Sequence, residues 1–152
     1  MTTKAFTLIS PQNPVFITYL FWSAILVLKL FAMVILTGNQ RWRKMTFISP
    51  EDLFSKKSKV KYDDDDIERV RRAHRNDLEN ILPFLTIGFF YCLTDPEPWL
   101  AINLFRLVGI SRIIHTFVYA VIVIPQPARF LSFILALLPT LYMTLQVIKF
   151  CF

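Results

Sequence analysis

Residues Glu68 to Pro83 read ERVRRAHRNDLENILP, and the chain then runs on through Phe84-Leu85-Thr86-Ile87-Gly88-Phe89-Phe90 without a charge. Arginines, a histidine, asparagines and carboxylates thus stand at the mouth of an apolar helix-length segment. On a repeat of about 3.6 residues, Arg72, Arg75, Asn76 and Glu79 fall at i, i+3, i+4 and i+7, which is one face of a helix. Such a segment is either a wet helix of a soluble bundle or a membrane helix that carries a polar site, and the flanking sequence decides between them.

Outward from that stretch the chain holds four candidate spans, at 15–37, 66–94, 99–123 and 129–150, with a charged loop at 38–65. Crossing roughly 30 Å of hydrocarbon takes about 20 residues. The first span reaches that length if Lys29 is tolerated, and the last reaches it easily. The middle two must carry charge into the bilayer. A soluble bundle would show a polar face on every helix, whereas the outer two spans are apolar all round. The expected architecture is therefore an all-α membrane protein, a bundle of four transmembrane helices forming one domain across residues 1–152.

At 152 residues, 55% hydrophobic and a formal charge of +6, the chain has room for a single domain and excludes several chemistries. Its glycines, Gly38, Gly88 and Gly109, lie far apart, so neither a phosphate-cradling loop nor a dinucleotide turn can be built. Two histidines and two cysteines allow no ordinary zinc site, and no metal is expected. Cys92 and Cys151 are too sparse for a disulfide framework and suit a reducing or membrane-buried setting. In a membrane protein the basic balance reports on orientation, anionic lipid or an anionic ligand, and no nucleic-acid partner is expected.

Basic residues crowd the segment from Arg41 to Lys61, while the loop Asp95-Pro96-Glu97-Pro98 has none. The positive-inside rule places the 38–65 loop in the cytosol and both termini on the other side. The first span ends without a small-x-small cleavage pattern, so it is expected to remain as a signal anchor. The run Asp63-Asp64-Asp65-Asp66 reads as a solvated helix start whose carboxylates cap backbone N–H groups. A calcium loop would need spaced oxygen ligands and a central glycine, which are missing.

The third span repeats the polar pattern, with Arg112, His115, Thr116 and Tyr119 on one face. Both stripes reach the cytosolic half, so the expectation is that they line one cavity. Charge at mid-bilayer costs roughly 2.5 to 3.5 kcal/mol per residue on insertion scales, so it pairs, faces the bundle interior or marks a site. Ion pairs that merely fix helix packing are the plainer reading of Arg72, Arg75, Glu79 and Arg112. The excess of arginine over carboxylate points instead to an anionic ligand, which a guanidinium fork suits. Pro83 leaves the Glu79 carbonyl without its helical donor and adds local polarity; Pro139 reads as a packing kink.

The string RAHRNDLENILPF (Arg72 to Phe84) resembles the signature of the membrane-associated proteins in eicosanoid and glutathione metabolism. Arg41 with Arg43 after Thr37-Gly38, then Ser49-Pro50-Glu51-Asp52, Arg112-x-x-His115-Thr116-x-x-Tyr119 and Pro125-Gln126-Pro127-x-Arg129 follow in the order that family shows. The resemblance covers almost the whole chain. It implies a homotrimer of four-helix subunits that binds glutathione in clefts between neighbours near the cytosolic face.

By position, Arg41, Arg72, Arg75, Asn76, Glu79, His115 and Tyr119 would hold the tripeptide, with Arg112 in a secondary role. Arginines would take its carboxylates and Glu79 its amino group. Arg129 and Asp52 would be catalytic, Arg129 lying near the sulfur, where a guanidinium favours the nucleophilic thiolate. His115 has the plainer reading of a packing histidine.

The implied activity is that of a glutathione transferase that also reduces lipid hydroperoxides, attacking hydrophobic electrophiles that arrive from the bilayer. The alternatives are glutathione-dependent prostaglandin E isomerisation and a non-catalytic lipid-binding scaffold. The isomerase pattern expects a serine after Arg129 and a tyrosine three residues later, where this chain has Phe130 and Phe133. The transferase pattern expects a sensor cysteine at Leu53. Implied locations are the endoplasmic reticulum membrane and the outer mitochondrial membrane, multi-pass, with the site facing the cytosol.

Overall fold

The computed structural model describes residues 6–152. Four long helices make up most of it. Helix α1 is Pro14–Lys44, α2 is Asp65–Leu93, α3 is Pro98–Thr116 and α4 is Ala128–Cys151. Three of these segments, Pro14–Lys44, Pro98–Val121 and Ala128–Cys151, are long and apolar enough to cross a membrane. The architecture is thus an all-α, multi-span membrane fold.

The helix ends follow from their sequences. Asn13 caps α1 by accepting the Val15 N–H at 2.9 Å, with Pro14 at the first helical position. At 31 residues α1 is roughly 46 Å long, well beyond the hydrocarbon thickness. It therefore runs past Thr37 to Lys44 and carries Arg41 on a helical arm, ending at Met45 in the left-handed region (φ 51°). Its last turn holds Arg41, Arg43 and Lys44, which complement the negative end of the helix dipole. Glu97 caps α3 through the Trp99 and Leu100 N–H groups. A π-helical turn, Phe117–Val121, closes α3, where the sequence suggested a regular helix to 123.

The bundle is square, with neighbouring pairs α1–α2, α2–α4, α4–α3 and α3–α1; α2 and α3 stand on a diagonal and barely meet through their backbones. Side chains fill the centre. One layer is aromatic: Tyr19, Phe84, Phe105 and Tyr91, with ring centroids 5.7 to 6.3 Å apart where they pair. Tyr19 satisfies its hydroxyl by donating to the Leu85 carbonyl at 2.6 Å. Two glycines admit these rings. Gly88 packs under Tyr19, and Gly109 lies so close to Trp22 that a Cβ would overlap the indole.

The connection between α1 and α2 is more structured than the all-α expectation allows. Two short parallel strands, β1 (Thr46–Phe47) and β2 (Lys59–Val60), pair across it. Trp42, Phe47 and Phe54 cluster with centroids 4.6 to 5.9 Å apart. Asp64 is the N-cap of α2, accepting from the Asp66 and Ile67 N–H groups. It is not simply solvated: Lys44 lies 2.6 Å from Asp64 and 2.5 Å from Asp66, closing the loop onto the end of α1. The Lys44 ammonium, helped by the two backbone N–H groups, holds the Asp64 carboxyl below the usual carboxylate range.

Two outcomes are expected. Gly109→Ala destabilises the protein by about 1 to 3 kcal/mol through overpacking, whereas Gly38→Ala, with nothing within 4 Å of its Cβ, does not; thermal unfolding in detergent reads both. Because the Asp64 pKa is depressed, its contribution is complete above the unfolded value of about 3.9 and is lost as pH falls through the lower folded value. Amide exchange in the first turn of α2 should accelerate across that acid range, and Lys44→Met should move the onset to higher pH.

Candidate functional site

Asp77 is the most buried carboxylate of the bundle, with a side chain wholly shielded from solvent. It lies on the core face of α2 with Val70, Ala73, Ile81 and Phe84. Lys29, from the middle of α1, approaches its Oδ2 at 2.5 Å. Arg112, fully buried on α3, reaches across the diagonal and donates from Nη2 to Asp77 Oδ1. The Thr116 hydroxyl also donates to Asp77, at 3.4 Å. Two cations therefore share one carboxylate in the apolar interior, where an unpaired charge would be strongly unfavourable.

From this centre the polar groups extend to a cleft of about 340 Å³ lined by Asn76, His115, Tyr119, Gln126, Arg129, Phe130 and Phe133. Arg112 Nη2 donates to the Asn76 side-chain oxygen at 3.0 Å and lies 3.5 Å from His115 Nδ1. The His115 and Tyr119 rings stack at 5.6 Å, His115 in the last turn of α3 and Tyr119 in the π-helical turn that follows it. The Arg129 guanidinium sits 4.7 Å over the Tyr119 ring and is steered by Nε donating to the Ile124 carbonyl at 3.0 Å. That cation–π contact presents a guanidinium to the cleft beside the two phenylalanines.

The remaining expected residues gather elsewhere. Arg41 and Arg75 line a separate cleft between α1 and α2, about 410 Å³, with Thr37, Gly38, Arg71, His74 and neighbouring apolar groups. Arg72 and Arg75 border a smaller one with Glu68 and Arg71. Glu79 is exposed on α2, and Asp52 is exposed at the end of the 3-10 turn Pro50–Asp52; neither lines these clefts.

Within one chain, then, the two stripes do not line a single cavity as the sequence suggested. The reason is rotational. At about 100° per residue, Arg72, Arg75 and Glu79 lie roughly opposite the Val70, Ala73, Asp77 and Ile81 face of α2. Asn76 lies between the two faces and alone joins the α3 stripe. Arg112, expected as a secondary ligand group, is sealed inside by Asp77. Sequence reasoning passed over Asp77 and Lys29. The available signal was register: Asp77 falls in the apolar line of α2, and Lys29 is the lone charge of its apolar run, so the two opposite charges were candidates for one buried pair.

Among the described residues no group of three or more His, Cys, Asp or Glu side chains is placed to hold a metal ion. The fold and clefts define a multi-span membrane protein with cation-lined clefts near one end of its helices. The chain belongs to the MAPEG family, which it matches over residues 19–149. It is 42% identical over 143 residues to human microsomal glutathione S-transferase 1, covering 91% of this chain and 92% of that protein. To bovine prostaglandin E synthase it is 39% identical over 132 residues, 86% and 85% of the two chains. To the human prostaglandin E synthase it is 37% identical over 150 residues, 97% and 95%.

Asp77→Ala should cost about 3 to 5 kcal/mol, since it strands two buried cations. A second substitution, Lys29→Met, should recover part of that loss. Unfolding of the single and double variants in detergent gives the coupling directly.

Proposed function

We propose that the protein is a glutathione-dependent enzyme of the membrane that presents bound glutathione as a thiolate to hydrophobic substrates. The observation that carries this reading is the exposed line Arg72, Arg75 and Glu79 on the outer face of α2. Cations turned away from the core of their own chain, on a helix entering a bilayer, need a counter-charge from a ligand or a neighbouring copy. A homotrimer of four-span subunits supplies both: the outer face of α2 meets a neighbour, and glutathione lies between them. Arg72, Arg75 and Arg41 take its carboxylates, Glu79 its amino group, and Asn76, His115 and Tyr119 complete the contacts.

Arg129, seated on Tyr119, favours the thiolate over the thiol, and Asp52 is assigned as its catalytic companion. Phe130 and Phe133 give the Arg129 cleft an apolar wall for a substrate arriving from the bilayer. No metal is used. The clefts face the cytosol, with the basic 38–65 loop, and the membrane is that of the endoplasmic reticulum.

Two reactions of that thiolate divide the reading. Prostaglandin E synthases from several mammals align over most of the chain, which favours isomerisation of a prostaglandin endoperoxide. The second reading is conjugation of hydrophobic electrophiles together with hydroperoxide reduction. It is favoured by Phe130 and Phe133 at the cleft and by the 42% identity to the human microsomal transferase.

The test is glutathione binding by calorimetry on protein purified in detergent, followed by turnover of prostaglandin endoperoxide and of an aromatic chloro-nitro electrophile. Absence of binding would sink both readings in favour of a lipid-binding scaffold. Arg129→Ala should lower turnover by about a hundredfold or more while leaving the oligomer intact. Arg75→Ala should weaken glutathione binding by about tenfold or more, the loss of a charge-assisted hydrogen bond.

A further inference from the structure

Asn76 and His115 form adjoining parts of the Arg129 cleft wall, and both face one buried nitrogen from behind, Asn76 through a hydrogen bond and His115 at contact distance. Arg112 Nη2 donates to Asn76 Oδ1 at 3.0 Å and stands 3.5 Å from His115 Nδ1. A guanidinium offers only N–H groups and accepts nothing. Whatever faces it must therefore be an acceptor, and that requirement has opposite consequences at the two ends of each side chain.

An asparagine amide has one accepting and one donating end. With its oxygen committed to Arg112, Asn76 has its NH₂ group left for the cleft. A neutral imidazole carries one N–H, and the hydrogen bond at one nitrogen decides which nitrogen holds it. Both N–H groups of Arg112 Nη2 go to Asp77 and Asn76. His115 Nδ1, 3.5 Å from that nitrogen, is kept bare by facing a cation, which disfavours an N–H pointed at it, and the His115 proton resides on Nε2. Arg112 cannot turn away, because Asp77 holds the same Nη2 and Lys29 holds the other side of Asp77.

We propose that Arg112, anchored by Asp77 and Lys29, fixes the hydrogen-bonding polarity of this wall, so that Asn76 and His115 both present N–H donors to the ligand. The wall then recognises acceptor oxygens, a carboxylate or an amide carbonyl, and disfavours an ammonium group. Combined with the glutathione reading, on which this part rests, it receives a carbonyl or carboxylate oxygen of the tripeptide, and the amino group is directed to Glu79 instead. Arg112 itself, fully buried, is a positioning residue rather than a ligand contact.

Asn76→Asp separates this from a structural role. The variant is nearly isosteric and keeps an oxygen for Arg112, but it replaces the outward NH₂ with a second acceptor. Glutathione affinity, measured by calorimetry, should fall at least tenfold while the thermal unfolding temperature is held or raised. Unchanged affinity would mean that Asn76 serves only to satisfy Arg112 and would overturn the proposal.

The wild-type protein supplies an independent readout. Two-bond ¹⁵N–¹H spectra of histidine-labelled protein in micelles, assigned by comparison with His115→Gln, should show the Nε2–H tautomer at His115. An Nδ1–H tautomer would overturn the proposal whatever the affinities. If the wild-type protein binds no glutathione, the functional reading fails by itself, and the tautomer still decides the polarity of the wall.

Discussion

A carboxylate sealed among apolar helices persists only where its neighbours neutralise it, and the arrangement of this protein follows from how Asp77 meets that condition. Its partners come from two other helices, Lys29 from α1 and Arg112 from α3. Because α2 and α3 are diagonal in the square bundle, their backbones scarcely touch, and the long arginine side chain spans the gap. The pairing sets helix rotation as well as charge. A turn of α2 by one residue, about 100°, would leave Asp77 against apolar groups and two cations without an anion.

With Asp77 inward, the rest of α2 is placed by its period. Arg72, Arg75 and Glu79 are turned outward, and Asn76, at the border of the two faces, is the point where the buried network meets the Arg129 cleft. The helix thus does two things with one polar segment. Its inner line fixes the packing, and its outer line offers cations to whatever lies beyond the chain. The same division separates two ideas that looked like competitors at the level of sequence. Ion pairing for packing describes Asp77 and Arg112, and ligand recognition is the role proposed for Arg72 and Arg75.

The extra length of α1 matters for the same reason. Its last turns carry Arg41 beside Arg75 across the α1–α2 cleft. Lys44 then closes on Asp64 and Asp66 at the start of α2. That latch, with the strand pair and the Trp42, Phe47 and Phe54 cluster, holds the connection between the two helices against the bundle end instead of leaving it a slack tether.

The helical, membrane-spanning character and the polar segment at the head of α2 were legible in the sequence, because apolar run length and a 3.6-residue period are local properties. The motif order also carried the family. The division of the polar residues was not legible: a helical period says which residues share a face, but not which face turns inward. That choice was made by Asp77 and Lys29, each unremarkable alone, whose opposite charges meet only when α1, α2 and α3 are packed. For the same reason Arg112, in the sequence one more arginine of a ligand stripe, became the buried group that orients Asn76 and His115.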